Sequence, residues 1–576
     1  MQKIEEIRHS LAHVLASAVM EYWPKTKLAI GPSIENGFYY DMETPRPLAP
    51  ADLEKLESRM REIIKENQKF VGKKVTKITA KKLFKQSPYK LEIIKELPGT
   101  TVGTYQNGDF LDLCKGGHVK NTSEINSNAF KLTKIAGAYW RGNQKNKMLT
   151  RVYGVAFETE KELMDYLNML QEAEKRDHRK LGKELDLFTF SDLVGAGLPL
   201  YTPKGTILRD ELAKFSEDLQ REKGFQKVWI PHITKIDLYK KSGHWEKFGE
   251  ELFLVKSQES SDEFALKPMN CPHHTQIYAS KPRSYKDLPL RFMETTTCYR
   301  DEKTGELSGL TRVRSLTQDD AHIFCTMEQV EKEFENIMEM IKTMYGKLDL
   351  KFKARLSFSD PKQPKKYLGD KNNWKKAEEI IESVAKKLNL DYVIAAGEAA
   401  FYGPKIDIIV TDALGREWQC ATEQLDFVQP VRFGLEYTSE DGSKKTPVMI
   451  HKALLGTIDR FLGVYIEHTA GAFPLWLSPV QVSILPISDK LESYASEIKN
   501  TLDKEGIRTE IKNENDTLGK KIREAEMQKN PYILIVGEKE KEAGSVSIRQ
   551  RGKGDLGQMA LEEFIKKVKE EINLKS

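Results

Sequence analysis

The sequence predicts a multidomain chain of mixed α+β and α/β character, and three observations carry that prediction. Its 576 residues correspond to three or four units at ~150 residues per domain. A long charged stretch, EKELMDYLNMLQEAEKRDHRKLGKEL, has no proline and no glycine before Gly182, and it separates two differently patterned regions. From Gln481 onward the pattern becomes strand–helix–strand–helix. Hydrophobic residues make up 39%, and glycine brings the chain close to the ~45–50% of a folded globular protein, which excludes wholesale disorder.

The opening segment IRHSLAHVLASAVM places Ile7, Leu11, Val14 and Ala18 on one stripe at helical spacing. Turn signals follow at Gly31-Pro32, Asn36-Gly37 and Asn107-Gly108. The charged stretch from Glu158 to about Leu185 reads as one connecting helix. The next unit runs from near Phe188 to near Pro479, with the amphipathic helix LRDELAKFSEDLQREKG and several alternating strands. In the last hundred residues VSILPI and PYILIVG read as strands and LESYASEIKNTLDKEG as a helix. That module holds 18 basic and 18 acidic residues from Leu477 to Ser576, so RNA binding there requires a local patch. The whole chain carries a net charge of +5, which permits an RNA partner without demanding one. No apolar run approaches the ~18 residues of a membrane-spanning helix, and the charged start MQKIEEIRHS argues against a secretory signal. Five cysteines (114, 271, 298, 325 and 420) are few and odd in number, which points to a reducing cytoplasm rather than a disulfide framework.

Three constellations can carry chemistry. His9 and His13 lie four apart on the opening helix, opposite its apolar stripe and beside Ala12, Ala16 and Met20. Cys114 and His118 stand in DLCKGGHV, whose glycines let backbone approach a ligand. These four side chains fit a zinc site or a metal-free hydrolytic pocket; spacing leaves both open. The second constellation is RFMETTTCYRDEKTGELSGLTRVRSLTQDDAHIFC, read as strand, loop, strand. A strand puts Gln318, Asp320 and His322 on one face, which makes a poor core face and a good pocket lining. Arg300, Arg312 and Arg314 are nearby, and arginine suits phosphate recognition. The third set is scattered: Cys271, His273 and His274 in KPMNCPHH, His244, Tyr402, Lys405 and Asp407 in FYGPKID, Gln419 and Gln424, and His451 and Arg460. Spacing reads no metal site there, and neither a Walker A loop nor GxGxxG is present.

Taken together, HSLAHVLA, DLCKGGHV, GAYWRG, GLPLYTPKGTILRDEL, SGHWEKF, KPMNCP, TRVRSLTQDDAHIFC, AFYGPKID, WQCATEQLDF, MIHKALLGTIDRF and LSPVQVSILP occur in order along the chain. In this it resembles the bacterial threonyl-tRNA synthetases, a class II aminoacyl-tRNA synthetase family, over essentially its whole length. Two departures stand out. The chain starts at the His9/His13 domain rather than at the N-terminal ubiquitin-like domain of many members, and His273 occupies a position where the family has glycine.

The resemblance implies an α+β editing domain at 1–155, a connecting helix at 156–185, a class II catalytic domain at 186–476 (an antiparallel sheet flanked by helices), and an α/β anticodon-binding domain at 477–576. It implies ATP-dependent attachment of L-threonine to tRNA(Thr) through threonyl-adenylate, by a homodimer with Pro231 at its interface. Arg300 and Arg460 match arginines on the α- and γ-phosphates of ATP, Glu302 the residue at adenine, and Arg312 and Gln419 further ATP-site positions. His244 matches a histidine of the transfer step and Lys405 an active-site lysine. Gln318, Asp320, Tyr402 and Gln424 match the threonine pocket. Cys271, His322 and His451 match the ligands of one zinc ion, and magnesium accompanies ATP. His9, His13, Cys114 and His118, with Asp112 and Lys90, match the site that hydrolyses mischarged seryl-tRNA(Thr), and the resemblance favours its metal-free form. Asn515, Glu540 and Arg549 match positions near the anticodon. The competing readings are a serine or proline specificity on the same scaffold, a non-catalytic RNA-binding regulator, and a bare deacylase.

Overall fold

The computed structural model describes residues 2–143 and 145–575 and divides into two compact units, Met1–Glu172 and Ala173–Ser576. In the first unit the opening helix Gln2–Tyr22 packs on the helix Pro50–Lys65 and the strand Gly37–Glu43. That strand belongs to an antiparallel sheet with Lys27–Leu28 on one side and Met148–Ala156 and then Phe130–Tyr139 on the other. A second antiparallel sheet pairs Val71–Thr76, Thr101–Asn107 and Phe110–Leu113. The predicted stripe of Ile7, Leu11, Val14 and Ala18 is buried in the core. The expectation that the His9/His13 face lies away from the core is corrected: Ala12, Ala16 and His13 are buried as well. Small residues allow the second face of the helix to be covered too, so His13 looks into a lined interior while His9 is half-buried.

The single connecting helix expected over 156–185 is two helices, Glu160–Arg176 and His178–Glu184. Asp177 breaks it. Its backbone leaves helical geometry and its carboxylate accepts the Arg179 N–H at 2.8 Å, as an aspartate N-cap does.

The second unit is built on an eight-stranded sheet. Its order is Gln226–Lys227, Leu290–Tyr299, Ser315–Cys325, Val448–Thr457, Glu417–Asp426, Lys405–Thr411, Lys351–Phe358 and Tyr392–Ala396. The six inner strands are antiparallel and each edge strand is parallel to its neighbour. Helices Pro203–Glu222, Val330–Lys347 and Ile458–Thr469 cover one face with a continuous apolar core. The first of them starts where Thr202 caps the Gly205 N–H and Pro203 supplies the first helical φ. The last hundred residues form a five-stranded sheet, Thr509–Ile511, Val482–Pro486, Tyr532–Val536, Ser545–Gln550 and Gly554–Ala560. It is parallel across the first three strands and antiparallel thereafter, with its own buried core. Arg508 ties this module to the rest of the unit through Glu211 at 2.7 Å and the Trp476 carbonyl at 2.6 Å. Among the described residues no helix is long and apolar enough to cross a membrane.

One irregularity shapes the sheet. Gln318 pairs with Thr457 and Asp320 with Ala453, so a single residue on one strand spans three on the other. Fully buried Asp319 fills the gap. Its carboxylate accepts the backbone N–H groups of Leu454, Leu455 and Gly456 at 3.0–3.1 Å and the Ser216 hydroxyl at 2.6 Å. Gly456 has φ +77°, and a Cβ there would meet the Cys420 carbonyl oxygen at 2.5 Å. Asp319→Asn puts an amide nitrogen against one of these donors. It is expected to cost about 1–3 kcal/mol, the penalty of a buried unmet polar group, read as a lowered midpoint of the thermal transition. An unchanged midpoint would mean that the bulge holds without the carboxylate.

Candidate active sites

The strands Ser315–Cys325, Val448–Thr457 and Glu417–Asp426 form the floor of a cavity of about 430 Å3. Gln318, Asp320 and His322 all line it, as their alternation predicts, together with Arg300, Tyr402, Gln424, His451, Cys271 and His244. Cross-strand register sets His322 opposite His451, and His451 opposite Gln424. Cys271 arrives at the start of the helix Cys271–Ala279. One ligand atom from each of Cys271, His322 and His451 lies within 4.8 Å of the others, and His322 Nε2 is 3.1 Å from His451 Nδ1. The other nitrogen of His451 meets Asp426 at 2.8 Å. Burial pushes His322 well below the usual imidazole range and the Cys271 thiol well above its own. Two imidazoles and a thiol make a donor set suited to zinc.

Tyr402 stacks on His451 with ring centroids 4.8 Å apart and donates its hydroxyl to Gln424. Asp320, its pKa raised by burial, accepts from Asn270 at 2.9 Å. His244 is buried, with Nδ1 2.6 Å from the Ser242 hydroxyl and Nε2 3.9 Å from Cys271 Sγ; burial brings it down to about 3. Glu302 and Arg312 line a separate cavity of about 560 Å3 that shares Lys247 with the first, and they are paired at 2.8 Å. Lys405 and Gln419 line neither cavity. Both bind buried Asp407, at 2.7 and 2.8 Å, in a network with Arg355. Arg460 is exposed, 6.0 Å from the Trp418 ring centroid.

In the first unit His9, His13, Cys114 and His118 come together, with one ligand atom from each within 4.8 Å of the others. Gly116 and Gly117, at φ +113° and +88°, turn the Cys114–His118 loop back over the helix. Hydrogen bonding fixes two tautomers. The Gly117 carbonyl, 3.2 Å from His9 Nδ1, can only accept, so His9 carries its proton there. The Ser10 hydroxyl donates to the Glu6 carbonyl at 2.8 Å and therefore accepts from His118 Nδ1 at 3.2 Å. The Nε2 lone pairs of His9 and His118 thus converge on Cys114 Sγ, at 3.5 and 3.2 Å. Burial lowers all three histidines, His118 to about 2, so all stay neutral at pH 7. Behind His13, Asp112 lies 3.8 Å away and pairs with Lys90 at 2.5 Å. Tyr40, which sequence reasoning missed, donates to Asp112 and accepts from Lys90 at 3.1 Å. A lone tyrosine in a strand gives no signal of such a role. Lys90 and Asp112 also line a cleft of about 770 Å3 that continues along the helix past Ser17 and Met20.

In the last module Asn515 is exposed in a loop. Arg549 lies on the strand Ser545–Gln550, 3.5 Å from Glu526. Both oxygens of Glu540 are occupied, one by the Gly537 N–H at 2.9 Å and the other by the Ser547 hydroxyl at 2.8 Å, which makes it first a helix cap.

Family models match in three places. The tRNA synthetase class II core domain (G, H, P, S and T) matches residues 253–469, an anticodon binding domain residues 481–571, and the threonyl and alanyl tRNA synthetase second additional domain residues 102–153. The chain is 48% identical to a threonine–tRNA ligase of Gloeobacter violaceus over 99% of its own length and 93% of the relative's. It is 49% identical to one from Thermus thermophilus over 97% and 87%. A solved chain described as the RNA binding domain of threonyl-tRNA synthetase from Cryptosporidium parvum Iowa II superposes with a TM-score of 0.66 at 38% identity, covering 68% of this chain and 98% of that one.

Cys114 is the one cysteine of five that is not fully buried, and burial raises its thiol pKa. Native-state thiol labelling is therefore expected to modify a single cysteine, to be abolished by Cys114→Ser, and to accelerate about tenfold per pH unit above neutrality as thiolate forms. Rapid labelling at pH 7 that survives Cys114→Ser would contradict this description of the pocket.

Proposed function

The chain belongs to the threonyl-tRNA synthetase family, and we propose that it selects threonine at a zinc ion held by Cys271, His322 and His451 and hydrolyses seryl-tRNA(Thr) at His9, His13, Cys114 and His118. Charging of tRNA with threonine on a class II core, together with an editing domain, follows from the family. The assignment to residues is ours, and the observation that carries it is the convergence of Cys271, His322 and His451 in one cavity with Gln318 and Asp320.

The two reactions divide between 1–155 for editing and 186–476 for adenylate formation and transfer, joined by 156–185, with 477–576 reading the anticodon. In the first step the threonine carboxylate attacks the α-phosphate of ATP and pyrophosphate leaves. In the second, the terminal ribose hydroxyl of tRNA attacks the adenylate carbonyl and AMP leaves. Arg300 at the cavity wall supplies fixed positive charge where the phosphate becomes more negative. Arg460, Glu302, Arg312 and Gln419 belong to the same nucleotide-binding half, and magnesium enters with ATP. Lys405 acts from its pairing with Asp407, and His244, neutral beside Cys271, serves the transfer step. Zinc, when bound, supplies an open Lewis-acid position for the amine and hydroxyl of threonine. Asp320 and Gln318 orient the amine, while Tyr402 and Gln424 close the pocket over the side chain.

Valine lacks the hydroxyl and is rejected strongly. Serine lacks only a methyl, worth about 10- to 200-fold, and so needs a second site. There the Nε2 lone pairs of His9 and His118 hold a water that attacks the ester carbonyl; one nitrogen takes a proton from the water and passes it to the ribose oxygen as the acyl–oxygen bond breaks, releasing serine from tRNA. Asp112, Lys90 and Tyr40 position His13 beside it. Asn515 and Arg549 present polar groups to loop bases, and Glu540 holds the helix next to them. Around Pro231, Trp229, Ile233 and Leu254 are 76%, 48% and 63% exposed, an apolar surface that supports homodimerisation. Five free thiols among the described residues fit a reducing cytoplasm.

Arg300→Ala is expected to abolish threonine-dependent ATP–pyrophosphate exchange while leaving seryl-tRNA(Thr) deacylation within about twofold. His13→Ala should do the reverse, slowing deacylation about 100-fold with exchange intact. Loss of both activities in either variant, with the protein folded, would contradict two separate sites.

A further inference from the structure

His322 presents Nε2 to His451, and its second nitrogen, Nδ1, lies 2.8 Å from Nδ1 of His274. The helix Cys271–Ala279 sets His274 three residues beyond Cys271, and its ring stands at 87° to that of His322, with centroids 4.7 Å apart. His274 is fully buried. Its other nitrogen, Nε2, faces Glu294 Oε2 at 3.8 Å, and neither of these two atoms has a hydrogen-bond partner among the described residues. The other oxygen of Glu294, Oε1, accepts the Ile230 N–H at 3.0 Å.

Two ring nitrogens 2.8 Å apart share one proton, and the choice of owner has consequences. If His274 Nδ1 holds it, neutral His322 carries its own proton on Nε2 and turns an N–H toward the cavity. If His322 Nδ1 holds it, Nε2 offers a lone pair to the cavity, and the proton of His274 stands on its own Nε2, facing the carboxylate. In the second arrangement the His274 Nε2 proton points at the Glu294 carboxylate, 3.8 Å away, and His322 Nδ1 donates to His274 Nδ1 at 2.8 Å. We propose that Glu294 and His274 form a relay that fixes the tautomer of His322 and so presents its Nε2 lone pair to the metal. Both are positioning residues; neither touches the ion. Asp426 does the same for His451 directly, at 2.8 Å from Nε2. The two lone pairs 3.1 Å apart are thus held together from behind by two carboxylates, one of them acting through an imidazole. Partners behind metal-bound histidines commonly govern affinity in this way.

This inference rests on the zinc reading, and its test separates the two. Zinc affinity of the full chain is measured by competition with a chromophoric chelator for the unsubstituted protein, His274→Ala and Glu294→Gln. Glu294→Gln is the sharper probe. Its single oxygen stays with the Ile230 N–H, so its amide nitrogen faces His274 Nε2, forces the proton onto His274 Nδ1 and leaves His322 with an N–H toward the metal. Both variants are expected to bind zinc about 10- to 100-fold more weakly, with an altered visible spectrum in the cobalt(II)-loaded protein. Affinities within twofold of the unsubstituted chain would overturn the relay while leaving the zinc site standing. An unsubstituted chain that binds no zinc would overturn both. Should either variant fail to fold, 15N-histidine NMR of the zinc-loaded unsubstituted protein decides: protons on His322 Nδ1 and His274 Nε2 support the relay, and a proton on His274 Nδ1 overturns it.

Discussion

The second unit depends on the register between the strands Ser315–Cys325 and Val448–Thr457. It places His322 directly across from His451, and a slip of one residue would turn every side chain in the row to the other face. Two features pin it. Asp319 gathers the three amides that the bulge leaves unpaired, and Gly456 passes the Cys420 carbonyl where no side chain fits. The same alternation that sends Asp319 inward to hold the bulge sends Gln318 and Asp320 outward into the cavity. Structure and chemistry thus share one run of five residues.

Burial lowers the pKa of His9, His13 and His118 in one site and of His322 in the other, and hydrogen bonds aim ring lone pairs in both. In the first unit a carbonyl and a serine hydroxyl direct His9 and His118. In the second, Asp426 directs His451. Aimed nitrogens can bind a metal or hold a water, and the two centres differ in their surroundings. The Cys271 centre shares its cavity with Arg300, Gln318 and Gln424. Beside the Cys114 centre, Lys90 and Asp112 line a long cleft.

Much of this was legible in the sequence. The period-2 run of Gln318, Asp320 and His322 announces a polar strand face, and His9 with His13 announces a polar helix face. The strands VSILPI and PYILIVG are too apolar to be anything but interior. Other features could not be read locally. Cys271, His322 and His451 lie far apart in sequence; sheet register brings the two histidines together, and a helix start brings Cys271 to them. The opening helix is covered on both faces because alanine allows close packing, which a one-stripe reading does not foresee. Asp177 breaks the connecting helix by capping, a role that its charged surroundings conceal. Asp319, Tyr40 and Glu294 look like ordinary strand residues; only their partners reveal them. Glu540 shows the opposite case, a residue marked for recognition whose oxygens are both occupied by helix and strand neighbours.

The central claim is that the Cys271–His322–His451 centre tests an amino acid for a hydroxyl beside its amine. The most direct measurement compares kcat/KM for ATP–pyrophosphate exchange with threonine, serine and valine on the zinc-loaded protein. The account predicts that valine falls on the order of 10^4-fold below threonine while serine falls only about 10- to 200-fold below it. Valine activated as well as serine would contradict it.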